Sequence, residues 1–493
     1  MKVLIMGLGL HGGGLEAACY LLRHGAELTV TDLRDERVLA PSIQRLETAS
    51  GGASVRYVLG RHETGDFKSA DMVIKNPGVR PDSPCLRLAK RIETDISLFL
   101  AASPARLTAV TGSKGKSCAA SALHWALGKV RENAADGRSS APPDKAAPPG
   151  KAWLGGNITV SPLTFLDDLN REDDVVLELS SWQLGDLKGR LRTDSGGKTG
   201  GPLLKPKTAV LTAIMPDHLD RYATMEDYVA DKRIIYQGQD ETDFTVAADN
   251  GWGRSFHAES RGRPLRYADA PLSEGISGGW FNSPEGPGLA RLYGFASPGL
   301  AEGELAELVP PRLLTPGYHQ KKNLLAASLA LLGLGLEAAR IREALGNFPG
   351  IEHRLELFRR AGGIDFYNDS AATIPEAAAA AVEALGKDAP LVLVAGGADK
   401  NLDFSPLARA APLAKTLILL AGDGSEKLRR LLDRTGLAYR GPFDSLDKAV
   451  SAALEAGKPG DRVALSPGCT SFGMFLNEFD RGRQWKETVT RLT

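Results

Sequence analysis

Short apolar runs that stop at a polar or glycine-rich loop, with helix-like stretches between them, recur along almost the whole chain. They lie at residues 3–6, 27–31, 107–110, 174–179, 208–212, 364–367, 391–394, 416–420 and 462–465. Adjacent parallel strands can be joined only by a crossover long enough to hold a helix, so this alternation predicts parallel sheets covered by helices. No solenoid-type repeat runs through it. A length of 493 residues accommodates two to four domains of ordinary size.

The most telling loop follows the run at 107–110. It reads Thr111-Gly-Ser-Lys-Gly-Lys-Ser117 and opens a helix-like stretch near Cys118. Gly112 and Gly115 let backbone N–H groups approach phosphate oxygens, and the helix N-terminus adds partial positive charge. Lys116 can reach terminal phosphates, and the Ser117 hydroxyl can ligate Mg²⁺. The usual first glycine of G-x-x-x-x-G-K-S falls on Val110, so the loop is a shortened form of that pattern. ATP hydrolysis is the chemistry expected of it.

A second glycine loop, Gly7-Leu-Gly-Leu-His-Gly-Gly-Gly14, follows the first run. Gly7, Gly9 and Gly12 satisfy G-x-G-x-x-G, and Asp32 lies twenty positions beyond Gly12. Taken alone this admits two readings: a dinucleotide-binding dehydrogenase, or a βαβ unit holding some other diphosphate. The first five residues after Met1 run straight into this loop and are expected to be a strand, not a signal peptide.

Lysine plus arginine and aspartate plus glutamate are both 60, which removes any general electrostatic argument for nucleic acid or an anionic membrane. Cys19, Cys85, Cys118 and Cys469 show neither metal-ligand nor disulfide spacing, as expected in a reducing compartment. No apolar run reaches spanning length. A cytoplasmic, soluble protein is expected. Residues 133–150 are too polar and proline-rich to pack and read as a surface insertion; residues 189–203 and 273–288 read as two further loop excursions.

Other polar groups sit where strands end. Glu178 ends a buried-strand pattern ahead of Leu179-Ser-Ser-Trp-Gln183, and Met215-Pro-Asp-His218 follows the run at 208–212. Each is a candidate metal ligand, although a solvated edge glutamate and a structural histidine give the same pattern. Lys232 falls in a helical stretch at 225–236, where a surface lysine is the plain alternative. Gly317-Tyr-His-Gln-Lys-Lys-Asn323 opens a helix, and Arg354 lies in a short basic turn. Asn368-Asp-Ser-Ala-Ala-Thr373, Ala395-Gly-Gly-Ala-Asp-Lys400 and Ser466-Pro-Gly-Cys-Thr-Ser471 end three strand runs of the last third. Three such loops in one small region read as a site. From about residue 472 an amphipathic helix is expected to run toward the C-terminus.

Taken in order, the ATP loop, Glu178–Gln183, Pro216–Arg221, Asn368–Thr373, Gly396–Lys400 and Ser466–Ser471 resemble the Mur ligase family in its glutamate-adding, MurD-type branch, nearly end to end. The resemblance implies an α/β protein of three domains. These are a Rossmann-like UDP-substrate domain (1–103), a central P-loop-type ATP domain with a mainly parallel sheet (104–348), and a Rossmann-like amino-acid domain (349–493). It implies ATP, UDP-N-acetylmuramoyl-L-alanine and D-glutamate as substrates, Mg²⁺ (two ions) as cofactor, and a monomer. Gly7, Gly9, Gly12, Asp32, Asn157, Ser180 and Gln183 match positions on the UDP-substrate side. Gly112, Ser113, Lys114, Gly115, Lys116, Ser117, Asn323, Arg354 and Asp369 match ATP positions.

Ser117, Glu178, His218 and Lys232, the last as a carbamate, match metal-side positions, and the resemblance implies Lys116, His218 and Lys232 as the catalytic set. Thr373, Lys400 and Ser471 match the pocket for the incoming amino acid. The chain departs from the family pattern at Ala371, where a lysine is usual, at Gln320, where an asparagine is usual, and at Glu478, which stands where an aromatic is usual. The resemblance leaves the stereochemistry of the glutamate open. A folylpolyglutamate-type ligase shares the ATP chemistry without explaining the first domain. A dehydrogenase leaves the second phosphate loop unexplained, and a non-catalytic binding protein would not need Lys116, Glu178, His218 and Lys232 together.

Overall fold

A computed structural model describes residues 1–493 except 11, 53, 136–149, 159, 194–198, 219 and 220. The described chain divides into two compact units. One comprises residues 1–311 and 321–345, the other residues 312–320 and 346–493.

The first unit holds two large sheets. A five-stranded, all-parallel sheet runs Val55–Leu59, Glu27–Asp32, Lys2–Met6, Met72–Lys75, Ile92–Glu93. A nine-stranded sheet carries the ATP-loop strand Arg106–Thr111 between Thr208–Leu211 and Asp174–Glu178. Its pairings are parallel from Ala152–Gly156 through Gly278–Phe281, and antiparallel pairings to Gly288–Arg291 and Leu305–Val309 finish one edge. The strands flanking the ATP loop are buried along their whole length (Val175, Val176, Leu177; Ala209, Val210, Leu211). That is why they read as continuous apolar runs and not as alternation. One apolar cluster joins the helix Gly13–Arg23, the helix Asp95–Ala102 and the central sheet.

The second unit is a six-stranded sheet ordered Glu356–Ala361, Ile364–Asn368, Arg462–Leu465, Leu391–Gly396, Thr416–Leu420, Tyr439–Phe443, antiparallel only at its first pairing. Side chains alternate between two cores: Leu391, Leu393 and Ala395 enter one, Val392 and Val394 the other. Mixed α/β architecture with mainly parallel sheets is as the alternation predicts.

Four local expectations change. The last helix is Glu478–Leu492, not a helix from residue 472. Gly473 adopts φ 97°, and the Asn477 side chain caps the helix by accepting from Asp480 N at 2.9 Å. Residues 273–288 are not wholly a loop excursion, because Gly278–Phe281 adds a buried strand beside Arg263–Ala268. Within 189–203, Leu191–Thr193 and Thr199–Pro202 pair antiparallel. Of the expected insertion at 133–150, the helix Lys116–Ala135 takes the first three residues; 136–149 lie outside the described residues. Among the described residues no helix is long and apolar enough to cross a membrane.

Candidate active site

At the carboxyl end of the five-stranded sheet lies a cavity of about 810 Å³ whose walls include Gly7, Gly9, Asp32, Arg34, His62, Asn76 and Arg80. The chain turns there because Gly7, Gly9 and Gly12 all take positive φ (87°, 70° and 68°), a region a side chain resists. Gly12 then stands at the N-cap of Gly13–Arg23. Asp32 fixes the turn: its carboxylate accepts from Gly9 N at 3.2 Å and from Arg34 N at 2.9 Å. His62 was not singled out in the sequence. It reaches the cavity wall because its Nδ1 lies 2.8 Å from the Thr31 hydroxyl, a pairing between strand ends that no linear motif reports.

Asn157, Ser180 and Gln183 are not among these walls. Asn157 Nδ2 donates to Glu178 Oε1 at 3.0 Å. Ser180 and Gln183 form a reciprocal cap on the helix Ser181–Gly185, with the Ser180 amide and hydroxyl both 3.0 Å from Gln183 Oε1.

The phosphate loop leaves Arg106–Thr111 through Gly112 (φ 149°) and Gly115 (φ 92°) and enters the helix at Lys116. A Cβ at Gly115 would collide with the Asn323 side chain, so the helix Tyr318–Gly333 brings that amide onto the loop. Lys116 Nζ folds back onto the carbonyls of Gly112 (3.0 Å) and Ser113 (3.1 Å). Lys114 is exposed and pairs with Asp217 at 3.5 Å. Ser113 is buried; it donates to Met215 O and accepts from Met215 N and Tyr228 OH. That hydroxyl is therefore committed to holding the Met215–His218 turn. Ser117 sits half-buried in the first turn of the helix.

Lys232, 1% exposed on the helix Met225–Arg233, donates to Gly112 O at 2.9 Å and lies 4.4 Å from the Tyr228 ring centre. Burial, with the charge of Lys116 as a second cause, pulls its amine down to about 7, against the opposing pull of Asp217, Asp231 and Glu178. Glu178 is 1% exposed, and its Oε2 has no hydrogen-bond partner. An orphaned carboxylate oxygen in such a place is costly unless a cation meets it. Hard-oxygen ligation therefore fits the donors present, the Glu178 carboxylate and the Ser117 hydroxyl. His218 stands nearby with φ 54°, its ring 5.3 Å from that of Trp182 and 6.2 Å from that of Tyr228. Tyr228, one turn before Lys232 on the same helix face, was also missed by motif reading; only the i, i+4 spacing hints at it.

In the second unit the strand order places Ile364–Asn368, Arg462–Leu465 and Leu391–Gly396 side by side, so the three polar loops that follow them are neighbours. Asp369 links two of them to the basic turn: its Oδ1 accepts from Leu355 N (3.1 Å) and its Oδ2 from Ser466 Oγ (2.6 Å). Burial pushes its carboxyl up to about 7, with Ser466, the Leu355 amide and Arg354 opposing the rise. Arg354 itself is exposed. Arg481, 1% exposed and not foreseen, donates to Ser370 Oγ (3.0 Å), Ser370 O (2.8 Å) and Cys469 O (3.1 Å). It thereby clamps two of the loops together. Ser471 is buried, Thr373 half-buried and Lys400 exposed, with its ammonium 5.7 Å from the Phe472 ring centre. Glu352, His353 and Glu356 also converge. Lys486 meets both carboxylates at 3.2 and 2.7 Å, and Asn368 Nδ2 lies 2.8 Å from the His353 ring, so that cluster is an ion-paired network.

Three family models match the chain: the Mur ligase MurD-like N-terminal domain over residues 1–97, the Mur ligase middle domain over 110–282 and the Mur ligase glutamate ligase domain over 353–469. A UDP-N-acetylmuramoylalanine–D-glutamate ligase of Treponema pallidum is 39% identical, covering 99% of this chain and 97% of its own. One of the same name from Borreliella afzelii is 37% identical over 100% and 98% of the two chains. Among solved structures, UDP-N-acetylmuramate–alanine ligase MurC of Thermotoga maritima superposes with a TM-score of 0.54 at 16% identity, over the whole of both chains. MurF of Acinetobacter baumannii does so at 0.53 and 13%, covering 99% of this chain and 93% of its own. These structures share the fold.

Proposed function

The chain belongs to the Mur ligase family, in its UDP-N-acetylmuramoylalanine–D-glutamate ligase branch, and from that premise we propose how its own residues divide the work. It is an ATP-dependent ligase of peptidoglycan synthesis. Our reading is that it joins D-glutamate to UDP-N-acetylmuramoyl-L-alanine in the cytoplasm. Residues 1–103, 104–348 and 349–493 would serve the nucleotide substrate, ATP and the amino acid in turn. The observation that carries the reading is the convergence of Lys116 and Lys232 on the Gly112 carbonyl, at a helix N-terminus.

In this mechanism the L-alanyl carboxylate attacks the γ-phosphorus of ATP. An O–P bond forms, the bond to the β,γ-bridging oxygen breaks, and ADP leaves. Lys116 turns from the loop carbonyls to the phosphates, offsetting repulsion between two anions. Mg²⁺, when bound, polarises the phosphate oxygens and neutralises their charge. Ser117, Glu178, His218 and a carbamate on Lys232 would hold it, with Asn157 orienting Glu178. The acyl phosphate then meets the glutamate amine, which forms the amide, loses a proton and releases phosphate. Asn323, Arg354 and Asp369 are assigned to ATP. Gly7, Gly9, Gly12 and Asp32 are assigned to the uridine diphosphate, and Ser180 and Gln183 to the end that reacts.

Phosphate and ADP should appear only when ATP, Mg²⁺, UDP-N-acetylmuramoyl-L-alanine and an amino acid are all present. Release that ignores the nucleotide would defeat the reading. A glutamate γ-carboxylate needs a cation, and with Ala371 uncharged the exposed Lys400 is the one assigned beside Thr373 and Ser471. Lys400→Ala should therefore raise the KM for glutamate about 10-fold or more while moving that for ATP little, as expected for loss of a charge-assisted contact. Equal turnover of D- and L-glutamate, or a preference for a neutral amino acid, would overturn the acceptor assignment and leave the ligase chemistry intact.

A further inference from the structure

Lys75 ends the strand Met72–Lys75 and is 3% exposed. Its ammonium donates to Val79 O at 2.9 Å and Asn76 O at 3.3 Å, and pairs with Asp186 at 2.8 Å. Its partners belong to two different structures. Asn76, Gly78 and Val79 are walls of the 810 Å³ cavity. Asp186 is the residue immediately after the helix Ser181–Gly185, whose cap Ser180 stands two residues beyond Glu178. Arg190 runs parallel to this tie, donating to Asp186 O (2.7 Å), Ile92 O (2.8 Å) and Glu93 (2.6 Å). The seam between the five-stranded sheet and the helix after Glu178 is thus stitched by two cations.

We propose that Lys75 is a positioning residue for the ligase reaction, setting the nucleotide-cavity wall against the helix that follows Glu178 through its contacts to Asn76, Val79 and Asp186. Stability alone would not select it. Burial lowers the affinity of Lys75 for its proton and raises that of Asp186, so each charge stands against a desolvation cost, and apolar side chains of similar volume often do as well or better. What apolar packing cannot supply is direction. One ammonium that donates to two carbonyls and pairs with a carboxylate fixes the cavity loop and the helix end in a single geometry. An ångström of error between two bound substrates is enough to slow a reaction on the order of 10²-fold. The inference rests on the functional reading above.

The test uses the full-length K75M and K75M/D186L variants beside the wild type. Removing one charge leaves the other buried, so K75M lowers the melting temperature and K75M/D186L restores it. In the restored double variant the KM for UDP-N-acetylmuramoyl-L-alanine should stay raised about 10-fold or more, with kcat also reduced, while the KM for ATP moves less than about two-fold. A double variant that regains wild-type nucleotide KM and kcat together with its melting temperature overturns the proposal. Calorimetric titration with uridine diphosphate separates the two claims. Wild-type protein that does not bind it defeats the nucleotide reading and this inference with it. Wild-type protein that binds, matched by an equally avid double variant with unchanged kinetics, defeats the positioning role alone.

Discussion

Lys232→Ala should lose turnover on the order of 10³-fold, with a short-chain carboxylic acid restoring part of it, because the missing group is an anion and not a cation. An ordinary lysine holds only on the order of 10⁻³ of its amine uncharged at neutral pH, too little to add to CO₂ readily. Burial beside Lys116 brings Lys232 to about 7, so roughly half is free amine there. On the proposed reading the nitrogen lone pair would attack the carbon of CO₂, a proton would leave, and the side chain would become a carbamate whose oxygens could face a metal ion. The sign of the pH effect follows from the direction of the shift. Below about pH 7 the protonated amine dominates and cannot add CO₂, so activity should fall as pH drops through that value and recover with added bicarbonate. Carbon-13 bicarbonate should label the wild type and not the variant. A fully active Lys232→Ala protein would make Lys232 a buried structural lysine and remove it from the groups proposed to hold Mg²⁺.

Lys116→Ala should cost on the order of 10²–10³ in kcat, the scale seen when one preorganised electrostatic donor is deleted from a transition state. The fold should hold, since the ammonium donates to loop carbonyls and not to the core, and Gly112 O keeps its contact to Lys232. Circular dichroism and the melting curve check that half of the expectation; single-turnover formation of ADP checks the other. Near-wild-type turnover with an intact fold would mean that the loop does not serve the transferred phosphate.

The distinction between loop and core explains what was legible. The turn at Thr111–Ser117 could be read because two closely spaced glycines and a lysine at fixed spacing are all supplied by one strand–helix connection. The glycine loop at Gly7–Gly14 was legible for the same reason, although its ligand was not. Glu178 could be placed at a strand end, but nothing in its neighbours announced that Asn157 would occupy one oxygen and leave the other unpartnered. Asn157, Ser180 and Gln183 could be singled out, but not their contacts: Asn157 meets Glu178, whereas Ser180 and Gln183 bond each other in a helix cap.

Sequence alone determined the α/β class, the order of the parallel strands' polar ends and the glycine turns that open the helices Gly13–Arg23 and Lys116–Ala135, because each depends on periodicity and spacing within about thirty residues. Tertiary structure decided which distant groups meet. Lys232 reaches Gly112 across 120 positions, Arg481 reaches Ser370 across 111, and Lys75 meets Asp186. The physical reason is the sheet. Strands that neighbour one another in space, such as Ile364–Asn368 and Arg462–Leu465, are set by helix packing and crossover handedness over the whole domain. A buried charge acquires its altered proton affinity only once those strands have closed around it.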